Sequence, residues 1–256
     1  YYNPSLTPSS DSVKTVVLNN ITDYADSSEM NKYGAKFKYS KFQTVVDNSN
    51  QSITSNITKI EIRRDMKPAL NQNAEYELCF GNSFYIKNNN GYNIKSSGFN
   101  IFGIPDTVYL GDSPTNDRVG TLFLFKLEGK NAPIVVSNNV GTIDYERAEI
   151  IIKPINITGT SKTVQDIPII EVSACPKSND IVGLQDLYLQ LDVGNSTIDM
   201  VSDNISSGEN TAGTLYTATS SYMVGNIARL TEEESLNTTL TSSDTYVLGS
   251  PTTQPY

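Results

Sequence analysis

Near the start of the chain, apolar residues recur at intervals of three and four positions. This spacing places five side chains on one face of a helix: Val13, Val16, Val17, Ile21 and Tyr24. The polar residues at positions 9–11 offer an N-cap for that helix. The β-branched residues lower the helix propensity, but the period is 3.6 rather than 2. The sequence therefore predicts a helix ending near Tyr24.

A second, shorter helix is predicted from Ser40, because Ser40–Gln43 has the form of a capping box. Phe42, Val45 and Val46 would share its buried face. Further on, positions 58–64 alternate between apolar and polar, which indicates a half-buried strand with Ile60 and Ile62 turned inward. Residues 1–66 should form a small helix-on-sheet unit whose remaining strands lie before Tyr1.

After Pro68 the helical spacing disappears and strand patterns recur at short intervals. Strands are predicted at Glu75–Phe80, Ser83–Lys87, Tyr92–Lys95, Thr107–Leu110, Val119–Leu127, Ile134–Ser137, Pro168–Cys175 and Asp186–Val193. Positions 122–125 are continuously apolar, which is typical of a strand buried on both faces. This region is predicted to be an all-β module.

The segment Gly141–Pro154 predicts a β-hairpin that carries no chemistry. Thr142–Tyr145 and Glu149–Lys153 would be its strands, and the polar or small residues at 145–148 would form the turn. Pro154 should end the hairpin, because proline lacks the N–H that a central ladder requires.

These patterns predict an α+β, β-rich fold in three parts. A helix-and-strand module covers residues 1–66, a mainly antiparallel β module covers 67–194, and a Ser/Thr-rich extension covers 195–256. Such a polar segment seldom buries enough apolar area to fold alone, so its alternatives are disorder and docking on the rest of the chain. Docking is favoured by its apolar anchors Leu215, Tyr216, Tyr222, Met223, Val224, Ile227 and Leu230. The first four of these are the predicted dimer contact.

Composition excludes several classes of partner. The net charge of −9 and the pI of 4.6 argue against nucleic acid, since binding to phosphates depends on clustered Lys and Arg. No apolar run approaches the roughly 20 residues that cross a bilayer, so no membrane partner is expected. The two cysteines should stay reduced, with Cys79 acting as a small core hydrophobe.

The chain contains no histidine, which excludes every histidine-based triad, general base or metal site. Carboxylate pairs of the kind used in glycoside hydrolysis are formally present at Asp144/Glu146, Glu75/Glu77 and Asp199/Asp203. Asp144 and Glu146 border a turn, and Glu75 and Glu77 alternate on the exposed face of a strand. Neither pair therefore requires a catalytic explanation. Segment 112–117 lacks the spacing of a calcium loop, and no phosphate-binding loop occurs. The sequence predicts a non-enzyme without cofactor, catalytic or metal site.

Several segments, in order along the chain, together resemble a known family: Asn3-Pro4, the helix from Val13 to Tyr24, Phe42 with Ile60, segment 140–145, segment 150–152, and segments 178–181 and 187–192. They are similar to the C-terminal half of the baseplate wedge proteins of T-even bacteriophages, which are related to the J-type baseplate proteins of contractile tails. Related sequences often place glycine where this chain has Ala148.

The resemblance implies a structural virion component, made in the host cytoplasm and located in the tail baseplate. It implies a homodimer that joins neighbouring wedges into a ring around the hub, with other wedge subunits as partners. The alternative is a bacterial surface adhesin or carbohydrate-binding β module, suggested by the richness in Asn, Tyr and Thr.

Overall fold

The computed structural model describes residues 1–7, 9–86, 93–128, 132–183 and 188–203. Helix α1 spans Ser10–Ala25 and buries Val13, Val17, Ile21 and Tyr24. Its N-cap is Ser9, whose hydroxyl accepts a hydrogen bond from the Asp11 N–H at 3.2 Å. The first helix therefore forms as the apolar spacing predicts, with Val16 left on its exposed side.

Helix α2 spans Tyr39–Asp47 and buries Phe42. The predicted capping box is wrong, because the helix begins one residue earlier and its N-cap, Lys38, makes no side-chain cap. Instead, Asp180 accepts the Tyr39 N–H through Oδ1 at 2.8 Å. The positive end of the helix dipole also stabilises a carboxylate at this position. The helix is thus capped by a residue 141 positions away.

Twelve strands occur in the described residues. They are β1 Lys36–Phe37, β2 Ile62–Met66, β3 Asn73–Cys79, β4 Lys95–Ser96, β5 Phe99–Ile101, β6 Ile104–Pro114, β7 Val119–Glu128, β8 Ala132–Asp144, β9 Glu149–Thr160, β10 Lys162–Val164, β11 Ile167–Ala174 and β12 Ile181–Val182. All of the strand pairings are antiparallel. The α+β, β-rich fold class is confirmed.

The largest sheet has the order β3-β9-β5-β6-β7-β8 and closes on itself, because β9 pairs with β8 as well as with β3 and β5. A second sheet joins β2, β4 and β10 through β11, and a two-stranded ladder pairs β1 with β12. Strand β9 can serve three partners because it is long and changes neighbour along its length. Its first half lies between β3 and β8, and its second half meets β5.

The predicted hairpin forms from β8 and β9, with the turn at 145–148. Ala148 adopts φ 58°, the left-handed conformation for which glycine is the usual residue. The prediction that the hairpin ends at Pro154 holds for the β8 ladder, whose last pair is Gly141↔Ile152. Strand β9 itself continues, because Pro154 lies where the register with β3 shifts and a ladder N–H is not required.

Two strand predictions are wrong in the described residues, and two hold only in part, because β2 covers only 62–64 of segment 58–64 and β4 covers only Lys95 of Tyr92–Lys95. Of the predicted strand Asp186–Val193, only Tyr188 makes a single bridge, to Tyr33, and Val193–Asn195 forms a 3-10 turn. Leu189, Leu191 and Val193 do pack inward, so alternating burial here does not require a paired neighbour. Likewise, the described residues of Ser83–Lys87 make one bridge, from Phe84 to Pro176, and no strand.

The buried side chains form two clusters. The larger cluster fills the strand region between Met66 and Ala174, with Tyr145, Phe84 and Ile94 among its fully buried members. The smaller cluster joins the buried faces of α1 and α2 to Phe37 and Ile181. Residues from the end of the described chain, including Leu189 and Met200, also pack on this smaller cluster. Both helices therefore share one buried cluster with these distant segments.

Candidate interaction surfaces

The four predicted interface residues, Leu215, Tyr216, Tyr222 and Met223, lie outside the described residues. Their role in dimer formation remains a prediction.

The most buried charged residue in the described structure is Asp112, on β6, which is 2% exposed. Its Oδ1 accepts the N–H groups of Asn93 and Ile94 at 2.7 and 2.6 Å. Its Oδ2 accepts the Tyr145 hydroxyl proton at 2.7 Å. Burial, followed by this contact with Asp112, strongly raises the pKa of Tyr145. Three donors compensate the carboxylate for its lost hydration, which is the condition under which a buried polar group is tolerated.

Asn93 extends the same network. Its amide donates to the carbonyl oxygens of Tyr85 and Cys175 at 2.7 and 2.9 Å, and its Oδ1 accepts the Cys175 N–H at 2.8 Å. The backbone at Gly120 passes so close to Tyr145 that a Cβ there would lie 2.7 Å from the tyrosine hydroxyl oxygen. The network joins β6, the β8–β9 turn and the end of β11. All of its groups are engaged with one another, so its role is architectural.

The carboxylate pair Asp144/Glu146 lies at the β8–β9 turn. Asp144 Oδ1 accepts the N–H groups of Glu146 and Arg147 at 3.0 and 2.9 Å. These backbone bonds, led by that from Arg147, together with Arg118 hold the pKa of Asp144 below its usual range. Arg118 reaches both carboxylates, at 3.2 and 3.6 Å. A carboxylate bound to its own turn and to arginine is a structural group, because it has no free proton to donate.

The expectation that Cys79 is a core residue is wrong. Leu78 and Phe80 are buried, so Cys79 falls on the opposite, exposed face of β3 beside Glu77. The thiol and the carboxylates of Glu77 and Glu149 offer ligand atoms within 4.8 Å of one another. Burial and the two carboxylates raise the pKa of Cys79, so a thiolate is disfavoured at neutral pH. Glu75 is exposed on the same face, as the strand alternation predicts.

The third pair, Asp199 and Asp203, lies on the segment that ends the described chain. Asp199 is exposed beside α1, in a shallow groove that Lys14 and Leu18 also line. Cys175, like Cys79, is a free cysteine. The structure therefore brings none of the three predicted carboxylate pairs into an enclosed cleft within the described residues.

One exposed apolar surface lies at the β7–β8 end of the largest sheet. We call it the hairpin arm and define it by Leu127, Ile134 and Val135, which are 41%, 43% and 49% exposed. Ile134 and Val135 are consecutive on β8, so both faces of this strand are open to solvent. Within the described residues, positions 132–138 pair only with β7, which leaves one edge of β8 without a strand neighbour.

A second exposed surface surrounds two aromatic rings. Tyr33 and Tyr188 are 64% and 54% exposed, and their rings are in contact, with centroids 4.1 Å apart and planes tilted by 40°. Gly34, with φ 66°, lets the chain turn from Tyr33 into β1. Sequence reasoning missed this pair because its members are 155 positions apart. It also missed the buried role of Asp112, because its partners Asn93, Ile94 and Tyr145 lie 18 to 33 positions away.

No described helix has the length and apolar character needed to span a membrane. Residues 1–65 match the family model of the baseplate structural protein gp6, C-terminal domain III. No curated protein matches the chain significantly. The match covers α1, α2 and the segment leading through most of β2, and it supports a gp6-like baseplate protein with a structural role in the phage tail.

Proposed function

We propose that this gp6-like protein is a non-catalytic wedge subunit that dimerises and joins neighbouring wedges into a ring around the tail hub. The observation that carries the proposal is the match of residues 1–65 to gp6 C-terminal domain III. Other wedge subunits are its further partners. It is made in the host cytoplasm and acts in the virion.

The hairpin arm supports an associating role. An open strand edge with apolar side chains is a template for pairing with another chain, and soluble monomers normally blunt such edges. Pro133 removes one backbone donor from this edge, but Ile134 and Val135 remain exposed.

We place the twofold contact at the residues that the sequence singles out, Leu215, Tyr216, Tyr222 and Met223. Tyrosine and methionine are both enriched at the centres of such contacts. Tyrosine also buries a large area at little cost in conformational entropy. The hairpin arm then serves as the second surface that a ring requires, since each subunit in a closed ring must contact two neighbours.

Sedimentation equilibrium of the purified chain at micromolar concentration tests this arrangement. We expect twice the 28.1 kDa chain mass for the unaltered protein. Replacing Tyr222 and Met223 with glutamate should return it to the monomer. Replacing Val135 with lysine, the matched surface variant, should leave the dimer intact.

The opposite pattern, with the dimer lost only on changing Val135, would move the twofold contact to the hairpin arm. A strictly monomeric unaltered chain that also fails to bind any other wedge subunit would overturn the proposed function. Circular dichroism of each variant separates loss of contact from loss of fold.

A further inference from the structure

Three lysines lie within five positions of Tyr33 in the sequence, and one of them, Lys36, belongs to the β1–β12 ladder. We call Lys32, Lys36, Lys38 and the two tyrosines the basic tyrosine patch. All three lysines are exposed. Among the residues the structure describes, none of the three forms an ion pair.

Several cations elsewhere in the described structure do form ion pairs. Arg63, Arg118 and Lys126 each contact at least one carboxylate at 2.6 to 3.2 Å. Nearby Lys41 is also engaged, with Glu29. The hydrogen bond from Lys41, followed by the field of Lys38 and Lys32, lowers the pKa of Glu29. Two lysines of the patch, Lys32 and Lys38, therefore lie near Glu29, which Lys41 already holds. Asp180 is another carboxylate at this end of β1, where it accepts the Tyr39 N–H.

Backbone geometry keeps the patch together. Lys36 lies directly opposite Val182 in the β1–β12 ladder, so both side chains point to the same, exposed face. Phe37 and Ile181 point to the other face and are buried. Six residues of extended chain span at most about 21 Å, so Lys32 to Lys38 fit within one ordinary protein contact.

The sign of the patch is opposite to that of the whole protein. The chain carries a net charge of −9, yet segment 30–40 contains three lysines and no acidic residue. A second copy related by a twofold axis would bring lysine against lysine, which is repulsive. Complementary charge therefore points to a different, acidic surface as the occupant.

The tyrosine pair indicates that the acidic surface belongs to a protein rather than to nucleic acid. Two exposed aromatic rings in contact offer apolar area together with hydroxyl groups, a combination that is typical of protein contact centres. Three lysines are few for nucleic acid, where binding proteins commonly neutralise about six to ten phosphates.

We propose that the basic tyrosine patch docks a carboxylate-rich segment of another protein subunit, with apolar side chains seated on Tyr33 and Tyr188. The inference rests on the proposed function only in taking that subunit to be part of the baseplate. The patch and the twofold contact use different residues, so each can fail without the other.

Fluorescence anisotropy of the full chain with a labelled peptide that alternates glutamate and leucine tests the proposal. We expect binding that weakens as salt is raised, because exposed charges are screened. Lys36→Glu together with Lys38→Glu should weaken binding about tenfold or more, since each change replaces an attraction with a repulsion. Tyr33→Ala should weaken it about threefold or more through loss of this apolar area.

The matched control replaces two exposed lysines elsewhere, Lys67→Glu with Lys153→Glu, for the same change in net charge. It should bind as tightly as the unaltered chain, and a lysine–leucine peptide should bind the variant altered at Lys36 and Lys38. Equal loss in the control, or equal binding of a glutamine–leucine peptide, would overturn the proposal. So would tighter binding to duplex DNA or to phosphatidylglycerol vesicles, or displacement of the peptide by further copies of the chain. Sedimentation of the same variants should still show the dimer, which separates this inference from the proposed function.

Discussion

At the residue scale, the turn at 145–148 depends on two side chains whose burial its polar sequence does not predict. Tyr145 is 1% exposed and donates its hydroxyl proton to Asp112, while Ala148 is fully buried at φ 58°. The position of the turn was predictable from the flanking strands. The burial of Tyr145 was not, because its partner Asp112 lies 33 positions earlier and only the folded sheet brings the two together.

Substitution of Ala148 tests the left-handed turn. Ala148→Val should destabilise the protein by about 2–4 kcal/mol, because a β-branched residue is disfavoured at positive φ and overpacks a filled site. Ala148→Gly is the control. It relieves roughly 1 kcal/mol of backbone strain, but loses about 0.8 kcal/mol of methyl burial and gains entropy in the unfolded chain, so it should stay within about 1 kcal/mol. Urea unfolding of both variants measures these differences, and a tolerated valine would contradict the assigned conformation.

The raised pKa of Tyr145 predicts that the protein loses stability at high pH. Burial, with Asp112 beside it, raises the pKa of Tyr145 in the folded state above its ordinary value of 10.0. The folded protein therefore holds this proton to higher pH than the unfolded chain does. The associated stability is complete below about pH 10 and falls above it by about 1.4 kcal/mol per pH unit.

The control for this pH dependence is Tyr145→Phe. It should cost about 1–2 kcal/mol at neutral pH, because Asp112 loses a donor, and should show a shallower decline above pH 10. Urea titrations at pH values from 8 to 11 compare the two proteins. Parallel declines in both would remove Tyr145 as the source.

At the scale of elements, local patterns predicted α1, both strands of the β8–β9 hairpin and the alternation in β3. They failed where an element depends on distant groups. The N-terminus of α2 is set by Asp180 rather than by Ser40, and segment 188–193 packs inward as extended chain without a strand neighbour. The predicted exposed face of β3 was right for Glu75 and Glu77 and wrong for Cys79, which the same alternation should have placed beside them.

The remote cap of α2 yields a direct comparison of two substitutions. Asp180→Ala should destabilise the protein by about 1 kcal/mol, because the Tyr39 N–H loses its acceptor at the helix N-terminus. Ser40→Ala should change stability by less than about 0.5 kcal/mol, since alanine favours helix and Ser40 does not cap. Thermal or urea unfolding distinguishes them. A larger loss from Ser40→Ala would restore the sequence-based capping box.

At the scale of the whole molecule, the gp6 domain III match covers the helices and most of β2, while the hairpin arm lies beyond it. The basic tyrosine patch joins the two regions, since Tyr33 falls inside the match and Tyr188 outside it. The candidate surfaces were hard to predict from sequence. The basic tyrosine patch combines residues from segments that become neighbours only when the chain folds, whereas the exposure of the hairpin arm depends on which edge of β8 stays unpaired.

The central claim is that copies of this protein hold adjacent wedges together. Electron cryomicroscopy of particles assembled from the chain and the other wedge subunits of the same phage tests it most directly. The account predicts two copies related by a twofold axis at each boundary between wedges. Copies that lie apart, each enclosed within its own wedge and touching no other copy, would contradict it.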